Sequence, residues 1–198
     1  MCDKRPLVLW SGGTDSTCLV IELLTQGDID IMYVDLKNNE NQQRHEKTAI
    51  RKLRCIINDA NLKGKIVNEH SFGYNTISVT KTMYVQPALW ITAVAYIANI
   101  NTHCGVNIAF IKYDAAWHYK TEIHAVYDAM NNLVCDGDTV PLVFPYEWKT
   151  KVDLINDLKD FIYYEQIMNL IYYCESGKKG NCGECSSCKR HDNELGIE

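Results

Sequence analysis

The sequence predicts an α/β fold, a parallel sheet with helices on both faces, followed by a small C-terminal zinc-binding appendage. Three observations predict it. Short apolar runs alternate with helix-length segments, the pattern of successive strand–helix units. A glycine-hydroxyl loop, SGGTDS, joins the first run to the first helix. Four cysteines crowd into the C-terminal tail.

Residues 7–10 form the first strand. Residues 15–24 form the first helix, with Leu19, Val20, Leu23 and Leu24 at helical spacing. Residues 29–34 (IDIMYV) are the second strand and 44–60 the second helix. A weaker pattern marks 65–68 as a strand, and 71–84 reads as polar and irregular. Pro87 suits the first turn of a helix reaching residue 100. That helix is apolar nearly all round, which places it in the interior. Residues 106–111 are a strand, 122–133 a helix, 139–143 a strand and 151–161 a helix. The composition changes after Phe161, so residues 1–171 form the main domain and 172–198 the metal-held segment.

A chain of 198 residues can enclose one proper core. Its 46% hydrophobic and 23% charged residues are an ordinary globular balance. The net charge of −5 argues against a broad basic surface for nucleic acid. No apolar leader precedes the first strand, and the longest apolar stretch, 88–100, is too short to span a bilayer. The expectation is a cytoplasmic protein with no membrane partner. Nine cysteines, four of them clustered, suit a metal site in a reducing compartment better than a disulfide framework.

The loop has its own chemistry. Gly12 and Gly13 let the backbone bring N–H groups close to a ligand. The helix that follows adds unpaired amides and a positive dipole end. Ser11, Thr14, Ser16 and Thr17 add hydroxyls, and together these groups make a cradle for a pyrophosphate. The loop lacks the G-x-x-x-x-G-K-[ST] pattern, which sets it apart from Walker ATPases. An ordinary strand-to-helix turn capped by Asp15 is the plain alternative.

SGGTDS resembles the SGGxDS signature of the PP-loop ATP pyrophosphatases, whose fold is Rossmann-like, of the adenine nucleotide alpha hydrolase type. The resemblance implies that residues 11–17 bind the phosphates of ATP and that Asp15 positions the triphosphate or its Mg²⁺. After the second strand, Gln43-Arg44-His45 is similar to the QRH segment of 7-cyano-7-deazaguanine synthases, the PP-loop enzymes of queuosine-precursor synthesis. There Arg44 would meet a phosphate or carboxylate and His45 would relay a proton. An exposed polar helix start is the other reading.

Cys174, Cys182, Cys185 and Cys188 read C-x7-C-G-x-C-x2-C. Four thiolates close a tetrahedral Zn²⁺ shell at Zn–S of about 2.3 Å, a full and therefore structural site. Lys178, Lys179, Lys189 and Arg190 would offset its charge. An iron–sulfur cluster is the alternative metal group. The same family closes its C-terminus with this cysteine pattern. Cys2, Cys18, Cys55, Cys104 and Cys135 are scattered, and most are expected to be small core residues.

The middle of the chain departs from the family. Val85-Gln86-Pro87 stands where members carry a Pro-x-Arg-Asn-like element, and Lys112-Tyr113-Asp114 begins a region where they carry Gly-Tyr-Pro-Asp-Cys-Arg. Asp114 matches the acidic residue there. Pro141-Leu142 with Lys149 and Lys151 resembles a Pro-Leu…Lys element, which marks Lys151 as catalytic. Tyr113, Asp114 and Trp117 would form a pocket for a flat heterocycle, or the aromatics simply pack the domain. The resemblance implies an ATP-dependent ligase. With ATP, Mg²⁺ and ammonia it would convert 7-carboxy-7-deazaguanine to 7-cyano-7-deazaguanine or its amide through an acyl-adenylate, as a homodimer. Adenylation of another carboxylate or a tRNA base, and a non-catalytic zinc-ribbon binding protein, remain open.

Overall fold

In the first strand, β1 (Arg5–Leu9), neighbouring side chains enter two different cores. Leu7 joins one and Val8 the other, and both are fully buried. A strand covered on both faces reads as a continuous apolar run, and β1 accordingly lies at the centre of the sheet. The computed structural model describes residues 4–36, 39–74, 85–135 and 138–195.

Among these residues, β1 is joined by β2 (Ile29–Asp35), β3 (Ile66–Gly73), β4 (His103–Asn107) and β5 (Leu142–Val143). All pairs are parallel, in the order β3-β2-β1-β4-β5. One face is covered by α1 (Thr14–Gln26), α2 (Glu40–Asp59), α5 (Lys151–Leu158), α6 (Tyr164–Leu170) and α7 (Ser186–Leu195). The other face carries α3 (Val85–Ile97) and α4 (Lys120–Cys135). Strand order reverses between β1 and β4, so a crevice opens beyond their carboxyl ends, where open parallel sheets bind ligands.

Local chemistry sets the element ends. Asn39 caps α2 by accepting from the Gln42 amide at 3.2 Å, so α2 begins at Glu40 rather than 44. Thr150 and Asp153 form a capping box that starts α5 at Lys151. Gly13 precedes α1 and offers no side-chain cap.

Several expected elements differ. β3 continues to Gly73, pairing with β2 as far as Asp35, where an irregular segment was expected from residue 71. Its half-exposed pattern at the sheet edge hides the strand signal; residues 75–84 of that segment lie outside the described residues. The fourth strand is His103–Asn107, not 106–111. Phe110 bonds back to Ile108 and Asp114 to Ile111, so the apolar run after Asn107 turns out of the sheet into the crevice. The strand expected at 139–143 is confined to Leu142–Val143. The helix α3 is not wholly interior: Ile91 and residues 93–95 are buried, but Tyr96 is 61% exposed.

The helices α6 and α7 are additions that the tyrosine- and cysteine-rich composition concealed. Of the scattered cysteines only Cys18 is buried; Cys55 and Cys104 are exposed, Cys135 is half-buried, and Cys2 lies outside the described residues. The boundary placed at 171/172 falls inside one apolar cluster, because Ile171, Tyr172, Cys174 and Cys188 pack with Val8 and Leu19. No helix among the described residues is long and apolar enough to cross a membrane.

Candidate functional site

The loop between β1 and α1 is shaped by its glycines. Gly12 has φ +79°, the left-handed region, and a Cβ there would meet Ile50 Cγ1 at 3.0 Å. The Gly12 carbonyl accepts from the Tyr172 amide at 3.1 Å, which ties the C-terminal tail to the loop. Ser11 and Ser16 share a hydroxyl–hydroxyl bond of 3.1 Å, and the Ser16 hydroxyl also accepts from the Ser11 amide. With no side-chain cap on α1, its first-turn amides stay open to a ligand.

A cavity of about 260 Å³ opens at this point. Ser11, Gly13, Thr14, Asp15 and Ser16 line it from the loop, Gln42, Gln43 and Glu46 from α2, and Lys151 from α5. The tail closes it with Tyr172, Tyr173, Arg190 and His191. Thr17 stands behind the wall, fully buried, with its hydroxyl bonded by the Trp10 indole at 3.1 Å.

Lys151 Nζ lies 3.2 Å from Asp15 Oδ2 and 3.6 Å from Glu194 Oε2. Burial pushes the Asp15 carboxyl above its ordinary range, and the Lys151 ammonium opposes that rise. Asp15 Oδ1 has no hydrogen-bond partner. Neither does Gln43 Nε2 or His191 Nδ1, and both residues line the same cavity. Among the described residues, three of the five buried side-chain atoms without partners therefore surround one space. Buried polar atoms are nearly always satisfied, so this clustering makes the cavity the candidate site. Glu46 is different: burial pushes its carboxyl up although it accepts from Tyr33 at 2.7 Å and Gln42 at 2.9 Å.

A second, more apolar cavity of about 460 Å³ adjoins the first. Trp90, Phe110, Asp114 and Arg190 line both. Ile91, Ile123 and Val126 supply much of its wall.

The structure brings together the loop, Asp15, Lys151 and Asp114. It does not bring Arg44, His45, Tyr113 or Trp117 to either cavity. Arg44 points along the exposed surface of α2 and bonds Asn41 at 3.1 Å. His45 rests against the Tyr172 ring, 5.3 Å between centroids. Tyr113 is 72% exposed with φ +70°. Trp117 meets Trp148 edge-on outside the cavities. Of the QRH triplet, only Gln43 faces the crevice, because a helix turns successive residues by about 100°. Gln42, Gln43, Glu46, Arg190 and His191 were missed by sequence reasoning. Gln43 and Glu46 at i, i+3 were the available signal; nothing local pointed to His191.

Cys174, Cys182, Cys185 and Cys188 converge, with all four sulfurs within 4.8 Å of one another. Cys182 and Cys188 stand at 3.8 Å, and Cys174 and Cys185 at 4.0 Å. Tetrahedral zinc thiolates require S···S of roughly 3.8 Å, so the donor set fits a metal ion such as zinc. The Glu184 and Cys185 amides donate to Cys182 Sγ at 3.4 and 3.3 Å. With the Ser176 hydroxyl, these donors bring the Cys182 thiol down to about 5, toward the thiolate that a metal needs.

Asp30, His70 and His103 also gather, near the amino end of the sheet. Asp30 and His103 spend their bonding internally, whereas His70 meets the His103 ring edge-on and its buried Nε2 has no hydrogen-bond partner. The Asn99 amide donates to His103 Nδ1 at 3.0 Å, so Nε2 carries the proton and donates to Asp30 at 3.2 Å. Asp30 also accepts from Arg5 at 2.7 Å and from Asn68. This is a structural network that ties β1, β2, β3 and β4 together.

Comparison with models of known protein families finds no match, and comparison with curated proteins finds none.

Proposed function

We propose that the chain is an ATP-dependent adenylating enzyme of the PP-loop kind. The observation that carries this reading is the ring of unpartnered buried polar atoms around the uncapped start of α1. In this reading the triphosphate lies on the amides and hydroxyls of residues 11–16. Asp15 Oδ1 would hold Mg²⁺, which supplies positive charge for the departing pyrophosphate. Lys151 pairs with Asp15, opposing the rise that burial imposes on its carboxyl, and would adjoin the same phosphates.

The acceptor sits in the adjoining cavity with its carboxylate turned toward Arg190, at the junction. A carboxylate oxygen attacks the α-phosphorus, the α–β phosphoanhydride bond breaks, and pyrophosphate leaves. Ammonia then attacks the acyl carbon, a proton leaves nitrogen, and AMP departs to give the amide. A second adenylation, on the amide oxygen, followed by loss of AMP and protons, gives the nitrile. The apolar walls shelter the acyl-adenylate from water.

The resemblance of SGGTDS, QRH and CGECSSC selects 7-carboxy-7-deazaguanine as the acceptor and a homodimer as the working form. Asp114 at the cavity junction would accept from the heterocycle's N–H groups. Incubation with the acid, ATP, Mg²⁺ and ammonium, read by mass spectrometry, should show loss of the acid with release of AMP and pyrophosphate. A second reading keeps adenylation but changes the acid. It is favoured by Ile91, Phe110, Ile123 and Val126, which give the acceptor cavity more apolar wall than a purine-like base uses. Intact acid beside tightly bound ATP selects that second reading.

A further inference from the structure

Lys151 stands where its own helix disfavours a cation. It is the first residue of α5, at the positive end of that helix dipole. Glu194 is placed the opposite way: it is the penultimate residue of α7, at the negative end. The two meet where these helix ends come together, with Lys151 Nζ 3.6 Å from Glu194 Oε2. Each charge is held against its local preference, and such conflicts gather where a protein needs a group for work other than folding.

Lys151 also donates to Asp15 Oδ2 at 3.2 Å. Among the described residues no other ion pair reaches Asp15 or Glu194, so one ammonium serves two carboxylates. The trio therefore carries an excess of negative charge. Asp15 Oδ1 and Glu194 Oε2 are both buried without a hydrogen bond. Asp15 and Lys151 line the crevice, whereas Glu194 is not among its lining residues. Glu194 thus acts from behind the lysine.

We infer that Glu194 is a positioning residue: it draws Lys151 partly off Asp15 and leaves at Asp15 Oδ1 the excess negative charge that attracts the Mg²⁺ of a nucleotide. The inference rests on the nucleotide reading above and adds to it a residue of the C-terminal helix. With a neutral side chain at position 194, Lys151 would be undivided on Asp15. One ammonium facing one carboxylate leaves no excess charge for a second cation. A partly buried charge acting over this range is worth about tenfold in binding.

The test is calorimetric titration of the zinc-loaded chain with ATP, with and without Mg²⁺. Glu194→Gln removes a negative charge near the triphosphate, so ATP without Mg²⁺ should bind several-fold tighter than to the parent. The affinity gained on adding Mg²⁺ should shrink about tenfold. Glu194→Asp keeps the charge and should keep most of that gain. On an Asp15→Asn background, Glu194→Gln should leave the Mg²⁺ gain unchanged, because the carboxylate it acts through is gone. A residue that only tethers α7 to α5 would instead weaken ATP by the same factor with and without Mg²⁺. That result, or unchanged affinities in both conditions, overturns the inference and leaves the nucleotide reading standing. If the parent binds ATP in neither condition, both fall.

Discussion

Lys151 Nζ and Asp15 Oδ2 meet at 3.2 Å across the mouth of the crevice, one at the start of α5 and the other in the first turn of α1. The lysine side chain is 10% exposed and the aspartate 22%, so each charge depends on the other. Lys151→Met leaves a largely buried carboxylate beside Glu194 and should cost about 3 kcal/mol of stability. Asp15→Asn removes the charge that burial disfavours and should cost less in folding. Its expected loss is in turnover, by about 100-fold or more. Chemical denaturation and pyrophosphate release separate the two effects; stability losses that simply add in the double variant would show that the pair does not couple.

Arg44 and His45 test the same site from the other side. Among the described residues the Arg44 guanidinium bonds Asn41, three residues back on the exposed face of α2. Arg44→Ala should leave ATP affinity within about twofold, as expected of a surface change remote from the ligand. Gln43→Ala, one residue earlier, removes a buried amide that faces the crevice and should weaken affinity several-fold. The reverse order, in direct titration, would place the phosphates outside the crevice.

The cysteine cluster should take up one zinc per chain. Cys188→Ser keeps the shape but loses a soft ligand from a buried position. Zinc content should fall, and helical circular dichroism should drop by an amount matching α7. Protease should then cut the tail after Tyr173. A variant that keeps both zinc and helix would show that three sulfurs suffice.

Acid should loosen the sheet at its amino end. Burial would raise the Asp30 carboxyl, but the Arg5 and Asn68 donors override it and hold the group below the ordinary carboxylate range. Burial holds His103 below the ordinary histidine range, against the pull of Asp30. In both cases the unfolded chain binds more protons than the folded one. Stability therefore falls as pH drops, first below about 6.5 through His103 and then below about 4 through Asp30. Asp30→Asn should cost about 2 kcal/mol at pH 7, and the gap to the parent should narrow in acid. A gap that stays constant from pH 7 to pH 3 would remove Asp30 from the network's pH response.

Much of the frame was legible in residue order. Apolar runs of strand length alternate with helices, and this periodicity is a local property that survives any packing. The loop was legible for the same reason: two glycines and an uncapped helix start act over six consecutive residues. The cysteine spacing was legible because a metal shell imposes its own short-range geometry. The α6 and α7 helices were not, because tyrosines, glycines and lysines around them carry no apolar stripe. The strand at His103–Asn107 was displaced by the equally apolar Ile108–Ile111, which only the turn bonds of Phe110 and Asp114 take out of the sheet.

By itself the sequence determined a parallel α/β frame, a glycine-hydroxyl loop at the head of the first helix, and a four-thiolate cluster in the tail. Tertiary structure alone decided who faces whom. It turned Arg44 and His45 away, brought Gln43 and Lys151 in, and folded the tail so that His191 touches Thr14 across most of the chain. The reason is physical: spacing fixes neighbours within a turn or a strand. Contacts between residues 14 and 191 depend on where the whole core lets two helix ends meet.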